Sequence, residues 1–471
     1  MNNSSSTMKA ASSPTLQRAV IHGDKSSMKM GLLTMMAIAI GMVIVQGAMI
    51  SATQGIGIGG MSFIAAMVVA LVLAQFNAMS FAELSLMFPQ EGTLATYTQK
   101  AIGHFPAILV VFAGYVVVAL LAIPVEMFLV EVMLQQLAPG VLPDKVVPLL
   151  ILAVLAIANL VGADIFARVQ NLLAFILVSA LVLMGLVAIT GVSEPHPVLE
   201  APVDWGFDGV LDGSFFGLVA LAMWLMVGVE FVCPMINDVK DPQRNIPKAM
   251  HLSLFAIFFI FLAFVVGATF YLDAERLASS PIPYLDYANA VFGKAGLFIA
   301  TVMALAATCS SMNTLLAAIP RMLHGMAMNK QAFPQLKAQN RFGVPWVATV
   351  MIAALTTIPF LFVEIDSLIT LVIGATTSYL IAYIVAHINV MVLRKRMPEH
   401  ARPYRSPWFP IPQLLGIAAM VYIAFNNSPS PEMTVMVYSA TGVMLLVLGV
   451  ISALWVKLYM KRGLFEPDMD D

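Results

Sequence analysis

Charge is scarce in this chain. Lys, Arg, Asp and Glu make up only 11% of its 471 residues, against about 25% in a soluble domain, which excludes a water-soluble globule. Cysteine is scarcer still. Cys233 and Cys309 are the only two, both in apolar runs, and no disulfide framework or zinc spacing can be built from them. Nor is there a basic excess to attract nucleic acid: 24 Lys and Arg stand against 26 Asp and Glu, a net charge of −2,. The apolar runs hold no nucleophile–base pair and no metal-ligand cluster, so neither an enzyme nor a cofactor is expected. What the chain has instead is apolarity, with 60% hydrophobic residues and a mean hydropathy of +0.90. The fold class that follows is an all-α polytopic membrane protein with the lipid bilayer as its main partner.

A bilayer-crossing helix needs roughly 20 mostly apolar residues. Windows of that size predict twelve transmembrane helices, at about 31–54, 60–88, 105–137, 146–161, 166–191, 214–237, 250–272, 295–328, 345–363, 367–394, 411–426 and 434–460. Residues 1–30, Ser-rich with Lys9, Arg18, Lys25 and Lys29, read as a disordered basic tail without a signal-peptide pattern; residues 461–471 read as a second tail. Positive charge collects on the cytoplasmic side of membrane proteins. With both termini cytoplasmic, only Lys145, Arg276 and Lys294 of the 24 basic residues fall outside, and the acidic segment 192–213 does too. A cell inner (cytoplasmic) membrane location is expected.

Four carboxylates remain within the spans: Glu83, Glu126, Glu131 and Glu230. Charge at membrane depth is costly and faces a cavity or a partner. Glu83 and Glu131 sit near span ends, where snorkelling or capping is expected. Glu126, next to Pro124 and Val125, lies deeper, and Glu230 deepest. Span 6 carries Gly228 and Pro234, which together favour a break between Met226 and Glu230. Span 1 has a counterpart in Gly41, Gln46 and Gly47, followed by the glycine-rich stretch up to Gly60. Paired interruptions in the first helix of each half point to an inverted-repeat transporter with its site near midplane, although membrane helices also use glycine for close packing. Trp224 and Glu230 offer an aromatic face and an anion to a cationic group.

Several stretches are shared with a known family. Ala82-Glu83-Leu84, Pro89, Gly92, Tyr97 and Gly103 close span 2; Gly228-Val229-Glu230 and Lys240-Asp241-Pro242-Gln243-Arg244-Asn245-Ile246-Pro247 close span 6. Asn159 to Gly162 with Arg168, Gln170 and Asn171 matches loop 4–5. Arg321, Phe333-Pro334 and Gly343-Val344-Pro345 match loop 8–9, and Arg394, Arg396, Pro398, Arg402-Pro403-Tyr404 and Pro407 match loop 10–11. In these the chain resembles the amino acid–polyamine–organocation (APC) transporters over essentially its whole length. The resemblance implies a LeuT-like five-plus-five inverted repeat. Its first repeat is 31–191, its second 214–394, and two further helices follow at 411–460. Helices 1 and 6 would be unwound, and a bundle of spans 1, 2, 6 and 7 would rock to give alternating access.

The candidate substrate-binding residues are Val45, Gln46, Gly47, Ala48, Trp224, Val227, Gly228 and Glu230. Glu230 and Glu126 are candidates for coupling or gating. Trp224 and Glu230 keep the six-residue spacing found in the arginine–agmatine and putrescine–ornithine exchangers of the family. Ser310, Ser311 and Asn313 could approach a sodium ion or hydrogen-bond between helices. Two departures from the family stand out: Val45-Gln46-Gly47 replaces its Gly-Ser/Ala-Gly, and Ala174 to Ser179 lacks the span-5 lysine of proton-coupled members. The expected function is exchange of cationic amino acids or polyamines. The alternatives are a neutral amino acid permease driven by protons or sodium, and a transport-dead nutrient sensor. Residues 139–148 contain no cysteine, so no disulfide-linked heavy subunit is expected.

Overall fold

The structure, a computed structural model, describes residues 29–206, 214–426 and 431–468. The expected disordered tail therefore lies outside the described residues, except Lys29 and Met30, as do Asp208, Asp212 and the last three residues. Helices account for nearly all regular structure, and the only β pairing among the described residues is an isolated bridge of Met30 with Val239. They are α1 Leu32–Val43, α2 Gln46–Met87, α3 Leu94–Ala101, α4 His104–Leu137, α5 Val146–Leu160, α6 Ala163–Thr190 and α7 Phe215–Met223. After a 3-10 segment, Val229–Asp238, come α8 Pro242–Ala268, α9 Ala274–Ser279, α10 Pro283–Phe292, α11 Gly296–Met328, α12 Trp346–Phe362, α13 Ile365–Arg396, α14 Ile411–Phe425 and α15 Pro431–Leu454.

Among the described residues, seven stretches are long and apolar enough to cross a membrane by length and composition, and four shorter apolar helices accompany them. The helices are apolar on most faces, because lipid replaces water outside and the backbone must satisfy itself internally. Within α2 only Gly60 leaves helical geometry (φ 49°, ψ −126°), so the glycines before it do not break the helix. α4 carries one π-helical turn, Phe112–Val116, which contains Tyr115.

Polar groups inside the bundle tie helices together. Asn159 of α5 donates to Asn313 of α11 (2.9 Å), Asn313 to Gln170 of α6 (3.0 Å), and Gln170 to Ser310 (2.7 Å) and to the Ala37 carbonyl of α1 (3.0 Å). Ser311 donates to the Thr308 carbonyl one turn back. Gly41 lets α1 approach this network: a Cβ there would stand 1.9 Å from Ser310 Oγ and 2.5 Å from Gln170 Nε2. Gly41→Ala should therefore displace Ser310 and cost about 1–3 kcal/mol through overpacking. A thermal melt in detergent reads this, and Ser310→Ala in the same chain should recover part of the loss.

The end of the bundle that carries Arg321, Arg394, Arg402 and Arg462 is fastened by ion pairs and backbone contacts. Met30 N donates to the Asp238 carbonyl (2.8 Å) and Lys240 N to the Met30 carbonyl (2.9 Å). Arg321 of α11 pairs with Asp238 (2.9 Å). Residues 461–468 fold back on the same end. Phe105 N donates to the Leu464 carbonyl, Asp468 N to the Gln99 carbonyl, and the Asp468 carboxylate meets Arg462 at 2.7 Å and His104 at 3.3 Å.

Candidate functional site

Helix α1 ends at Val43. Ile44 and Val45 are extended (φ −84°, ψ 90° and φ −111°, ψ 168°), and α2 begins at Gln46. In the second half α7 ends at Met223, a single turn runs through Trp224 to Met226, and Gly228 adopts φ 116° before the 3-10 segment starts at Val229. An L side chain rarely adopts that φ. A Cβ on Gly228 would also lie 3.3 Å from Met42 Cγ and 3.4 Å from Val43 Cγ2. Gly228, at the second gap, thus lies against the last turn of α1, directly before the first gap.

Around the first gap the polar groups form one connected chain. Tyr284 of α10 donates its hydroxyl to Gln46 Oε1 (2.6 Å), and Gln46 Nε2 donates to Thr308 Oγ1 of α11 (2.8 Å). Thr308 donates to Glu126 Oε2 of α4 (2.7 Å). Glu126 also accepts the backbone N–H of Gln46 on Oε2 (3.4 Å) and that of Gly47 on Oε1 (3.5 Å). It therefore caps the first turn of α2, where free N–H groups and the helix dipole favour an anion. Ala48 is buried, Val45 is half-buried, and at Gly47 nothing comes within 4 Å of where a Cβ would stand.

Around the second gap the carboxylate is Glu230, 2% exposed. Three phenols surround it: Tyr379 and Tyr383, one turn apart on α13, and Tyr115 from the π turn of α4. Tyr383 donates to Oε2 (2.8 Å), and Tyr379 and, at 3.4 Å, Tyr115 donate to Oε1. Tyr383 in turn accepts the N–H of Gly228 (3.1 Å), so the cage also satisfies a peptide group freed by the gap. The rings of Tyr115 and Tyr379 meet edge to face, 5.4 Å between centroids. Trp224 and Val227 are half-buried beside this gap.

The remaining predicted residues sit elsewhere. Ser310 and Asn313 are engaged in the α1–α5–α6–α11 network, and Ser311 bonds within its own helix. Among the described residues no group of three or more His, Cys, Asp or Glu could hold a metal ion. Glu131 accepts the backbone N–H of Lys145 (2.9 Å) at the start of α5, a capping role. Glu83 does not snorkel. It is 1% exposed and makes a two-pronged pair with Arg394 at the end of α13 (2.9 and 2.6 Å), and the loop after α13 closes over it through Arg402 and Ser406. Nearby, burial pushes the Glu91 carboxyl up, but hydrogen bonds from His324 and Asn237 and the Arg321 guanidinium hold it below the usual carboxylate range.

Reasoning from sequence missed Tyr115, Tyr284, Tyr379 and Tyr383. The i, i+4 spacing of Tyr379 and Tyr383 in an apolar run was the available signal; Tyr115 and Tyr284 offered none.

The family model for amino acid permease matches residues 30–451. The chain belongs to the amino acid permease family. The human cystine/glutamate transporter is 24% identical over 420 residues, covering 86% of this chain and 81% of its own. The serine/threonine exchanger of Bacillus subtilis is 22% identical over 416 residues, covering 86% and 92%. The γ-aminobutyric acid permease of Escherichia coli is 24% identical over 407 residues, covering 80% and 84%. Among solved structures, a mutant manganese transporter of Eremococcus coleocola superposes with a TM-score of 0.61 over 90% of this chain and 94% of its own. At 12% identity that likeness speaks to the fold alone. The permease is thus an all-helical membrane protein of a transporter family.

Proposed function

We propose that this permease is a secondary active transporter that exchanges cationic amino acids or polyamines across the cytoplasmic membrane by alternating access, with both termini inside. The observation that carries the reading is that the helix interruption at Gly228 packs against Met42 and Val43, the residues that directly precede the interruption at Ile44–Val45. Interrupted crossings leave peptide groups without helical partners, and such backbone is tolerated at membrane depth only where it meets protein or lines a cavity. On this reading the chain makes twelve crossings. The first is α1 with the part of α2 before Gly60, and the sixth is α7 with the 3-10 segment. Residues 31–191 and 214–394 are the inverted repeats.

In the cycle, the gap residues Val45, Gln46, Gly47 and Ala48 and the turn Trp224 to Gly228 surround the cargo. The Trp224 ring faces its cationic group. Glu230 gates closure, because its phenol cage spans the moving 3-10 segment and the static α4 and α13. The Arg321–Asp238 pair and the Met30–Val239 bridge keep the cytoplasmic end shut in the state described. The network of Ser310 and Asn313 joins the static α5, α6 and α11 to α1, while Ser311 bonds within α11. A second reading, transport of neutral amino acids, is supported by the exchanger of serine and threonine among the relatives.

Vesicles reconstituted with the purified permease separate these readings. Labelled arginine, ornithine, putrescine and a panel of neutral amino acids are presented in turn. Counterflow into preloaded vesicles should exceed uptake into empty ones by at least about tenfold for the cationic compounds; equal rates would remove exchange. Trp224→Ala should raise the half-saturating concentration by about tenfold, the equivalent of ~1.4 kcal/mol, within the range of a desolvated cation–π contact.

A further inference from the structure

We propose that Glu126 occupies the anion seat at the head of α2 and so makes the site selective for amines over the corresponding α-amino acids. The inference rests on the reading of the two gaps as the cargo site and narrows its substrate class.

The first N–H groups of a helix point free donors and partial positive charge at whatever lies beyond its end. In transporters with interrupted helices this is where an anionic group of the cargo is held. Here the N–H groups of Gln46 and Gly47 already face the two oxygens of Glu126, at 3.4 and 3.5 Å. Glu126 is 8% exposed and comes from α4, 79 and 80 residues away in sequence.

It is also fixed in place. Thr308 donates to it, Gln46 donates to Thr308, and Tyr284 donates to Gln46, at 2.7, 2.8 and 2.6 Å. Each hydroxyl in this relay gives its hydrogen toward the next acceptor, and among the described residues the three hydrogen bonds to Glu126 all come from donors. That set suits a carboxylate anion. The Gln46 side chain, which the family pattern lacks at this point, aims the relay rather than facing the gap.

A cargo carboxylate brought to the same N–H groups meets a resident negative charge and must expel it from its donors. A cargo ammonium meets an acceptor. Glu126 Oε1 has one long contact, to Gly47 N at 3.5 Å, and retains lone-pair capacity. At Gly47 itself the space beside the α-carbon is open. The chemistry recognised is therefore a primary amine without an adjoining carboxylate.

Matched pairs that differ only by that carboxylate test the idea: putrescine against ornithine, agmatine against arginine, ethanolamine against serine. Competition binding to the purified full-length permease should favour the amine of a pair by at least about tenfold. Glu126→Ala frees the N–H groups and should reverse the preference, weakening the amine and strengthening the amino acid. Glu126→Gln retains a hydrogen-bonding side chain without the charge and should abolish amine preference. Equal or tighter binding of the amino acids by the unaltered protein overturns the inference while leaving amino acid transport intact. So does an unchanged amine to amino acid ratio in Glu126→Gln, which serves if the alanine variant does not fold. Binding of neither member of any pair removes the wider reading, and this inference with it.

Discussion

Glu230→Gln should lower the rate of exchange by at least about 100-fold while leaving the protein folded. The carboxylate accepts from three phenols on two oxygens. An amide keeps the size but offers one acceptor oxygen, and its NH2 points two donors at phenols that already donate. A hydrogen bond to a charged group contributes about 1.5–3 kcal/mol. Losing the two shorter ones costs about 3 kcal/mol or more in the closed state described, which every exchange cycle must pass through, and every 1.36 kcal/mol added to that climb is a tenfold change in rate,. The effect should fall on turnover more than on affinity, since the cage links the 3-10 segment to α4 and α13. Counterflow kinetics measures the split. Tyr383→Phe should reproduce part of the loss, because it removes both a donor to Glu230 and the acceptor for Gly228 N. Turnover within twofold of the unaltered permease in both variants would remove Glu230 from the gate.

The second large effect is on stability. Glu83→Ala should destabilise the protein by about 3–5 kcal/mol, the range for breaking a buried ion pair from one side. Glu83 is almost fully buried. It receives two bonds from Arg394, a third contact from Arg402 at 3.4 Å and the N–H of Ser406 at 2.7 Å. Its loss leaves Arg394 and Arg402, both under a tenth exposed, repelling each other without a counter-ion. A sharp drop in melting temperature and in folded yield is the expected readout. The double variant Glu83→Ala/Arg394→Ala should lose less than the sum of the single ones. Additive losses would mean that the two groups do not act as a pair.

These two acids also show what can be read from the chain alone. Composition and span windows were enough for the all-helical membrane class, since lipid imposes a length and apolarity that single residues cannot hide. The break near Gly228 was readable because glycine and proline act locally. The site's chemistry was less so. That Glu230 is buried followed from its position. That tyrosines hold it did not, since Tyr115 lies 115 residues away and such contacts depend on tertiary packing. For Glu83 the end-of-span position suggested snorkelling or capping, and only the end of α13 with the loop after it, more than 300 residues on, explains why it faces inward. Gln46 was noticed as an oddity. Its true partners, Tyr284 and Thr308, come from helices whose register against α2 no local pattern encodes.

The short bridge at Met30 has a mechanical consequence. Met30 is bound through its backbone to both neighbours of Val239, and one of them, Asp238, is the acid that holds Arg321. The leading segment of α1 and the tail of the 3-10 segment are therefore yoked into a single lever with one shared catch. Neither arm has a stroke of its own. Whatever releases Arg321 frees both arms together, and a cut or insertion between Met30 and Leu32 would uncouple them without touching the cargo.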